Sequence, residues 1–259
     1  MLPILFSIGP IEIHTGSVLL AIAGIISLVI FLKKVHLKRL PVEFLVNHYM
    51  VLLVVSIMGA RLTHLILNWE QFRTMHEENT LLATIAIWDK GLSLMGGFIA
   101  FIISFMLLIF LKKENLWQWL SAIITPTLII FLFKHLSDFF EGQAYGKATS
   151  LRWGIIFEGS NVKYTVPIHP TQIYAAIYTL SIMAFLQFYK PIQQLESKNS
   201  GFTFIFGSGI YAFFTFLNGF FRGDDIIMIW FLRIDQVIGL IIFLLAGMSI
   251  KKSMTRKSL

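Results

Sequence analysis

Seven stretches of the chain are apolar over about the length that a helix needs to cross a bilayer. No other feature limits the fold as strongly. They cover residues 16–33, 43–67, 92–111, 116–137, 170–189, 202–221 and 232–250. A spanning helix needs roughly 20 consecutive apolar residues, and in hydrocarbon every backbone polar group must be satisfied within the segment. Charged residues make up 14% of the 259 positions, against about a quarter in soluble domains. The expectation is an all-α polytopic membrane protein of about seven transmembrane helices. No repeat, low-complexity tract or long charged linker divides residues 1–259, so one transmembrane domain is expected. Residues 1–10 lack the basic n-region of a secretory leader.

The formal net charge is +7, which in isolation points to nucleic acid. Its placement points elsewhere. Twelve of the 21 Lys and Arg fall in alternate loops and the tail: Lys33, Lys34, Lys38 and Arg39, then Lys112 and Lys113, then Lys190 and Lys198, then Lys251, Lys252, Arg256 and Lys257. Alternation of basic loops is the mark of cytoplasmic exposure. It predicts an outside N-terminus, a cytoplasmic C-terminus, and outer-face loops at about 68–91 and 138–169. No nucleic-acid partner is expected. The chain has no Cys, which excludes disulfides, Cys-ligated metals and a thiol nucleophile.

Ionisable groups within or beside the apolar spans mark a candidate site, because such groups are costly in lipid. Arg61 and His64 share a helix face at the end of the second span. Lys134, His135, Asp138, Glu141 and Gln143 close the fourth, and Arg233, Asp235 and Gln236 open the seventh. Interfacial snorkelling and interhelical pairing account for any one of them. Three clusters at corresponding span ends favour a polar cavity. His169-Pro170-Thr171-Gln172-Ile173-Tyr174 places donors and acceptors at the head of the fifth span, where Pro in a first turn is tolerated. Asp224-Asp225 reads as a solvated turn after Gly223; no third metal ligand is near, and no metal site is expected.

The sequence resembles the bacterial prolipoprotein diacylglyceryl transferase family over nearly its whole length. The resemblance rests on Phe6-Ser7-Ile8-Gly9-Pro10 with Ile13-His14, on Gly59-Ala60-Arg61-Leu62, and on Trp88-Asp89-Lys90-Gly91-Leu92-Ser93-Leu94-Met95-Gly96-Gly97. It continues in Gly142, Tyr145-Gly146 and Trp153-Gly154, and in the His169–Tyr174 motif. It implies transfer of a diacylglyceryl group from phosphatidylglycerol to the lipobox cysteine thiol of a prolipoprotein. A thioether forms, glycerol phosphate leaves, and no metal or organic cofactor takes part. It also implies a multi-pass protein of the bacterial plasma (inner) membrane. Its partners would be a phosphatidylglycerol-like phospholipid and a prolipoprotein signal peptide.

The family pattern is altered at several polar positions. Gly16 stands where a Tyr is usual, and Met95 where a His is usual. His135, Asp138 and Gln143 replace Arg, Asn and Glu; Thr215 and Gly219 replace Arg and Glu, with Arg222 retained. A thioether cannot accept a proton as imidazole does. The reaction needs a base for the thiol and cations for the phosphate. The candidates are His135, Asp138 and Gln143 for catalysis, with Asp138 as orienter of the His135 imidazole. Arg61 and Arg222 are the candidate phosphate ligands. Gly96, Gly97 and Gly146 would allow close backbone approach, and His169, Gln172 and Tyr174 would contact substrate. Two alternatives stay open: altered lipid or acyl-transfer chemistry, and noncatalytic binding of lipid or lipoprotein.

Overall fold

A computed structural model describes residues 4–8, 11–69, 72–73, 93–157 and 162–255. A short antiparallel hairpin, β1 (Ile4–Ile8) and β2 (Ile11–His14), leads into α1 (Thr15–Leu37). Then come α2 (Val42–Leu67), α3 (Leu94–Leu111), α4 (Leu116–Glu141), α5 (Thr171–Phe188), α6 (Lys190–Lys198) and α7 (Phe202–Gly219). A two-residue-per-strand hairpin, β3 (Met228–Ile229) and β4 (Leu232–Arg233), precedes α8 (Ile234–Thr255). The fold is all-α with minor sheets. Among the described residues, six helices are long and apolar enough to cross a membrane; Gly96–Leu111, within the third expected span, is a shorter apolar helix. Large apolar side chains such as Ile25, Val46, Phe110 and Phe188 face outward, as lipid-facing helices require.

The chain forms two compact units, Arg39–Leu116, and Met1–Lys38 with Trp117–Leu259. In the first, small residues let α2 and α3 approach closely. A Cβ on Gly96 would lie 2.2 Å from Thr63 Oγ1, and one on Gly59 2.2 Å from Ala100 Cβ. Ser93 caps α3 by accepting from the Gly96 amide at 3.2 Å, and its own amide donates to Ala60 O at 3.0 Å. Without a hydrophobic force between helices in lipid, such close backbone packing is what holds them together.

In the second unit, Ile124, Leu128, Ile182, Leu186, Ile192 and Phe202 form a buried core. Ile192 comes from α6, a helix in a stretch expected to be loop. Pro191 stands in its first turn, where no amide partner is lost. Its Glu196 reaches the start of α7, accepting from the Thr203 amide at 2.8 Å, and pairs with Lys38 at 2.7 Å. Pro126 lies inside α4; Ser27 Oγ of α1 donates to its carbonyl at 2.9 Å. Bonds of that kind help to satisfy backbone groups near a Pro in membrane helices.

Candidate functional site

In the second unit, the loop after α4 meets the head of α5 and the segment that follows α7. After α4 the backbone turns sharply: Gly142 has φ +69 and Ala144 φ 52. A left-handed alanine costs roughly 1–2 kcal/mol, and the α5 head holds this one in place. Thr171 Oγ1 donates to Ala144 O at 2.7 Å, and Gln172 Nε2 to Gln143 O at 2.6 Å. Lys147 N then donates to Phe221 O at 2.8 Å and Gly223 N to Tyr145 O at 2.9 Å. The loop is thereby tied to the end of α7.

This frame borders a cavity of about 490 Å³ lined by Lys134, Asp138, Gly142, Gln143, Ala144, Tyr145, Lys163, Arg222, Asp224 and Asp225. The size is that of a small-ligand cleft. Its charged groups are paired. Lys134 Nζ lies 2.6 Å from Asp138 Oδ2, and Lys163 pairs with Asp225. Arg222 donates from Nε and Nη2 to Asp224, at 2.9 and 2.5 Å, and from Nη1 to Asp235 at 3.0 Å. Behind it, buried Arg233 donates to the same two carboxylates at 3.0 and 3.3 Å. The result is a closed ring of two arginines and two aspartates. Burial works against the Arg222 cation, but the bond to Asp224 and the charges of Asp224 and Asp235 outweigh it and raise its pKa.

One turn deeper, His135 Nε2 lies 3.1 Å from Tyr211 Oη, and its ring packs edge-on to Tyr178. Tyr178 Oη is 3.3 Å from Thr215 Oγ1, which donates to Tyr211 O at 3.0 Å. The positions at which His135 and Thr215 depart from the family pattern therefore belong to one hydrogen-bonded cluster. Gly219 has a related role. A Cβ there would lie 2.4 Å from Gln236 Cγ, and Gln236 uses that space to bond Phe216 O at 3.1 Å and the Arg233 amide at 3.0 Å. Gly16 similarly leaves room for the Glu141 carboxylate, 1.9 Å from where a Cβ would stand.

Several sequence expectations are thereby corrected. Asp138 does not orient His135; it pairs with Lys134, and His135 turns toward Tyr211. Asp138 and Gln143 line the cavity, whereas His135 lies outside its lining. Arg222 lines it too, but its fork is engaged by Asp224 and Asp235. Asp224 is thus part of a partly buried network and not a solvated turn, while its exposed neighbour Asp225 contacts Lys163. Gly146 serves close backbone packing, since a Cβ would stand 2.3 Å from His169 O. Gly96 serves the α2–α3 contact, and so does Gly97, where a Cβ would lie 3.2 Å from Ala60 Cβ. Gln172 is buried and braces the loop. His169 and Trp153 both hydrogen-bond Tyr174 Oη, at 3.3 and 2.8 Å. Arg61 is buried in the other unit, with its guanidinium 5.6 Å from the Phe72 ring centre. Trp88–Gly91 and the Met95 side chain lie outside the described residues. Lys163, Tyr178 and Tyr211 carry no local signal in the sequence; Lys134, four residues before Asp138, stands in the cluster that closes the fourth span, and Tyr145 stands among the motif residues.

Comparison with known proteins agrees with the motifs. Three relatives are each named phosphatidylglycerol–prolipoprotein diacylglyceryl transferase. That of Tolumonas auensis is 28% identical over 208 residues, covering 78% of this chain and 75% of the relative. That of Tropheryma whipplei is 27% identical, covering 80% and 78%. That of Campylobacter hominis is 26% identical over 261 residues, covering 94% and 88%. The family model described as prolipoprotein diacylglyceryl transferase matches residues 3–251. This chain belongs to the prolipoprotein diacylglyceryl transferase family.

Proposed function

We propose that the protein transfers a diacylglyceryl group from a phosphatidylglycerol-like phospholipid to the lipobox cysteine of prolipoproteins in the bacterial inner membrane. The observation that carries this reading is the polar cavity lined by the end of α4, the loop that follows it, Lys163 and the Arg222–Asp225 segment after α7. It lies within the family match of residues 3–251. A lipid can keep its acyl chains among the outward apolar side chains while its head group enters the cavity. The loop charges support an outer-facing opening.

In this reading Lys134, Lys163 and Arg222 hold the phosphate, and His135 is the base. If Nε2–H is donated to Tyr211, the Nδ1 lone pair stays available for the thiol proton. Gln143 and Tyr145 contact the head group from the cavity wall. Tyr174, fixed by His169 and Trp153, bears on the acceptor peptide. The test uses purified protein, phosphatidylglycerol with labelled acyl chains, and a lipobox peptide. Labelled peptide carrying a thioether is expected. If peptide stays unlabelled while lipid is consumed, transfer to this acceptor is excluded. A second reading, altered lipid chemistry, is favoured by one observation: Nε, Nη1 and Nη2 of Arg222 each already donate to a carboxylate.

A further inference from the structure

The turn between β3 and β4 is built against the usual rule. Two residues, Trp230 and Phe231, join Ile229 to Leu232. A two-residue hairpin turn favours Asn and Gly because it asks for left-handed backbone. Here Trp230 takes that conformation, with φ 59, which crowds its Cβ against the following carbonyl. The strain brings no packing in return: Trp230 is 92% exposed and Phe231 76%. Ile227, Met228 and Ile229 are exposed beside them, and every residue from 226 to 232 is apolar. The turn is nevertheless held firmly at its base. The Ile234 amide donates to Ile227 O at 3.0 Å. Met228 faces Arg233 and Ile229 faces Leu232 across the ladder, and Arg233 is fixed in the ring by Asp224 and Asp235.

None of residues 226–232 is among those that line the cavity. A peptide docks in a groove or along a strand edge, whereas a projecting, charge-free turn suits a fluid apolar medium. The turn also hangs between two spanning helices. Trp230 stands four residues ahead of α8, about 13 Å of extended chain at most, so it stays close to the head-group layer. Lipid-facing side chains flank it in the chain: Phe220 and Phe221 at the end of α7, Ile238 and Ile241 in α8. Trp favours the boundary between head groups and acyl chains. We propose that the β3–β4 turn is a membrane contact: Trp230 and Phe231 enter the leaflet beside the head of α8 and rest at that boundary. The partner is the lipid surface itself, whatever its head groups. By setting the depth of the hairpin, the two aromatic residues set the depth of the ring at its base, and with it that of Arg222 in the cavity wall. The inference goes beyond the transfer reading and needs no reaction.

The lack of Cys makes the test direct. Trp230→Cys, Phe231→Cys and, as a reference in an exposed loop, Ser150→Cys are each labelled with the same environment-sensitive maleimide dye. The full-length proteins are placed in nanodiscs of dioleoyl phosphatidylglycerol and dioleoyl phosphatidylcholine, with or without lipid spin-labelled near the top of its acyl chains. At 230 and 231 the spin-labelled lipid should quench most of the fluorescence and aqueous iodide little of it. At 150 the order should reverse. Labels at 230 and 231 that iodide quenches as strongly as the one at 150 overturn the inference. So does shielding from iodide without quenching by the spin-labelled lipid, since protein would then cover the turn. A lipobox peptide with its apolar signal segment is added last. Labels that are open to iodide until the peptide shields them make the turn a contact for the acceptor, and the lipid assignment falls. Phe231→Cys keeps the left-handed Trp230 in place, and it decides if Trp230→Cys fails to accumulate or the two labels disagree.

Discussion

Asp138 is paired with Lys134 at 2.6 Å, although His135 lies only three residues before it on the same helix. The longer reach of lysine at the i, i+4 spacing wins the carboxylate, and the imidazole finds Tyr211 instead. Base and carboxylate are thereby separated into two environments. His135→Gln should lower the transfer rate per folded molecule by about 10²–10⁴-fold. Tyr211→Phe should lower it less, by freeing the ring to rotate. Rates are referred to the folded fraction in detergent; an unchanged rate in folded His135→Gln removes the catalytic role.

Arg233 is 5% exposed and shares two carboxylates with Arg222. Arg233→Ala leaves Asp224 and Asp235 with one cation between them, and breaking a buried pair costs about 3–5 kcal/mol. The thermal unfolding midpoint in detergent should fall clearly. Lys252→Ala, at an exposed position, should leave it in place. Equal midpoints for the two variants would show that the ring adds nothing to stability.

Gly146 should not tolerate a side chain. The Cβ of Gly146→Ala meets His169 O at 2.3 Å, a backbone atom that cannot turn aside. Overpacking of this kind costs about 1–3 kcal/mol. The variant is expected to loosen the α5 head and the cavity rim together, read as faster proteolysis at 147–157 and loss of lipid binding. A variant as resistant as wild type would refute the tight approach.

Much of the architecture is legible in the chain because lipid leaves few choices. The fifth apolar stretch, 170–189, matches α5 at Thr171–Phe188 to within one residue at each end. The fourth stretch stops early: α4 runs on past Asp138 to Glu141, since a helix leaving the membrane is not obliged to end there. α6 was hidden because its apolar side is only Ile192 and Leu195, too short a pattern to stand out beside spans. At the site, Asp138 and Gln143 line the cavity, while Arg233 and Asp235 reach it only through Arg222 and Asp224. Their partners were not readable. Tyr211 and Tyr178 look like interior aromatics until His135 and Thr215 face them, and Asp224 looks solvated until Arg233 is folded behind it. Pairings over 76 or 37 positions have no local spacing rule.

The Lys38–Glu196 pair gives a pH test. Burial alone would raise the Glu196 carboxyl pKa, but Lys38 and the Thr203 amide outweigh it and hold it below its ordinary 4.5. A carboxyl lowered in the folded state stabilises above its unfolded pKa, and that contribution fades as pH falls through the folded value. Wild type should therefore unfold at a higher temperature than Glu196→Gln at neutral pH. The gap should narrow only below pH 4.5. A gap that is constant from pH 7 to 3 would exclude the carboxylate as its source.

From the basic loops we propose an outside N-terminus and a cytoplasmic C-terminus. With no native Cys, single substitutions report cleanly. In intact cells an impermeant maleimide should label Ser150→Cys, while Lys198→Cys should need permeabilised membranes. The opposite pattern inverts the topology.

The ring of Arg222, Asp224, Arg233 and Asp235 closes within a short piece of chain around the β3–β4 turn. Loop closure over so few residues costs little, and the ring's four salt bridges all lie within this piece. During synthesis, α7 and α8 can therefore cancel their own charges as soon as both have emerged from the ribosome. They can enter the bilayer with these four charges already paired, before the segments that complete the cavity have docked. Assembly order is thus written locally: the last two helices arrive as a finished pair, and a charge change at any of the four positions should show first as failed insertion of that pair.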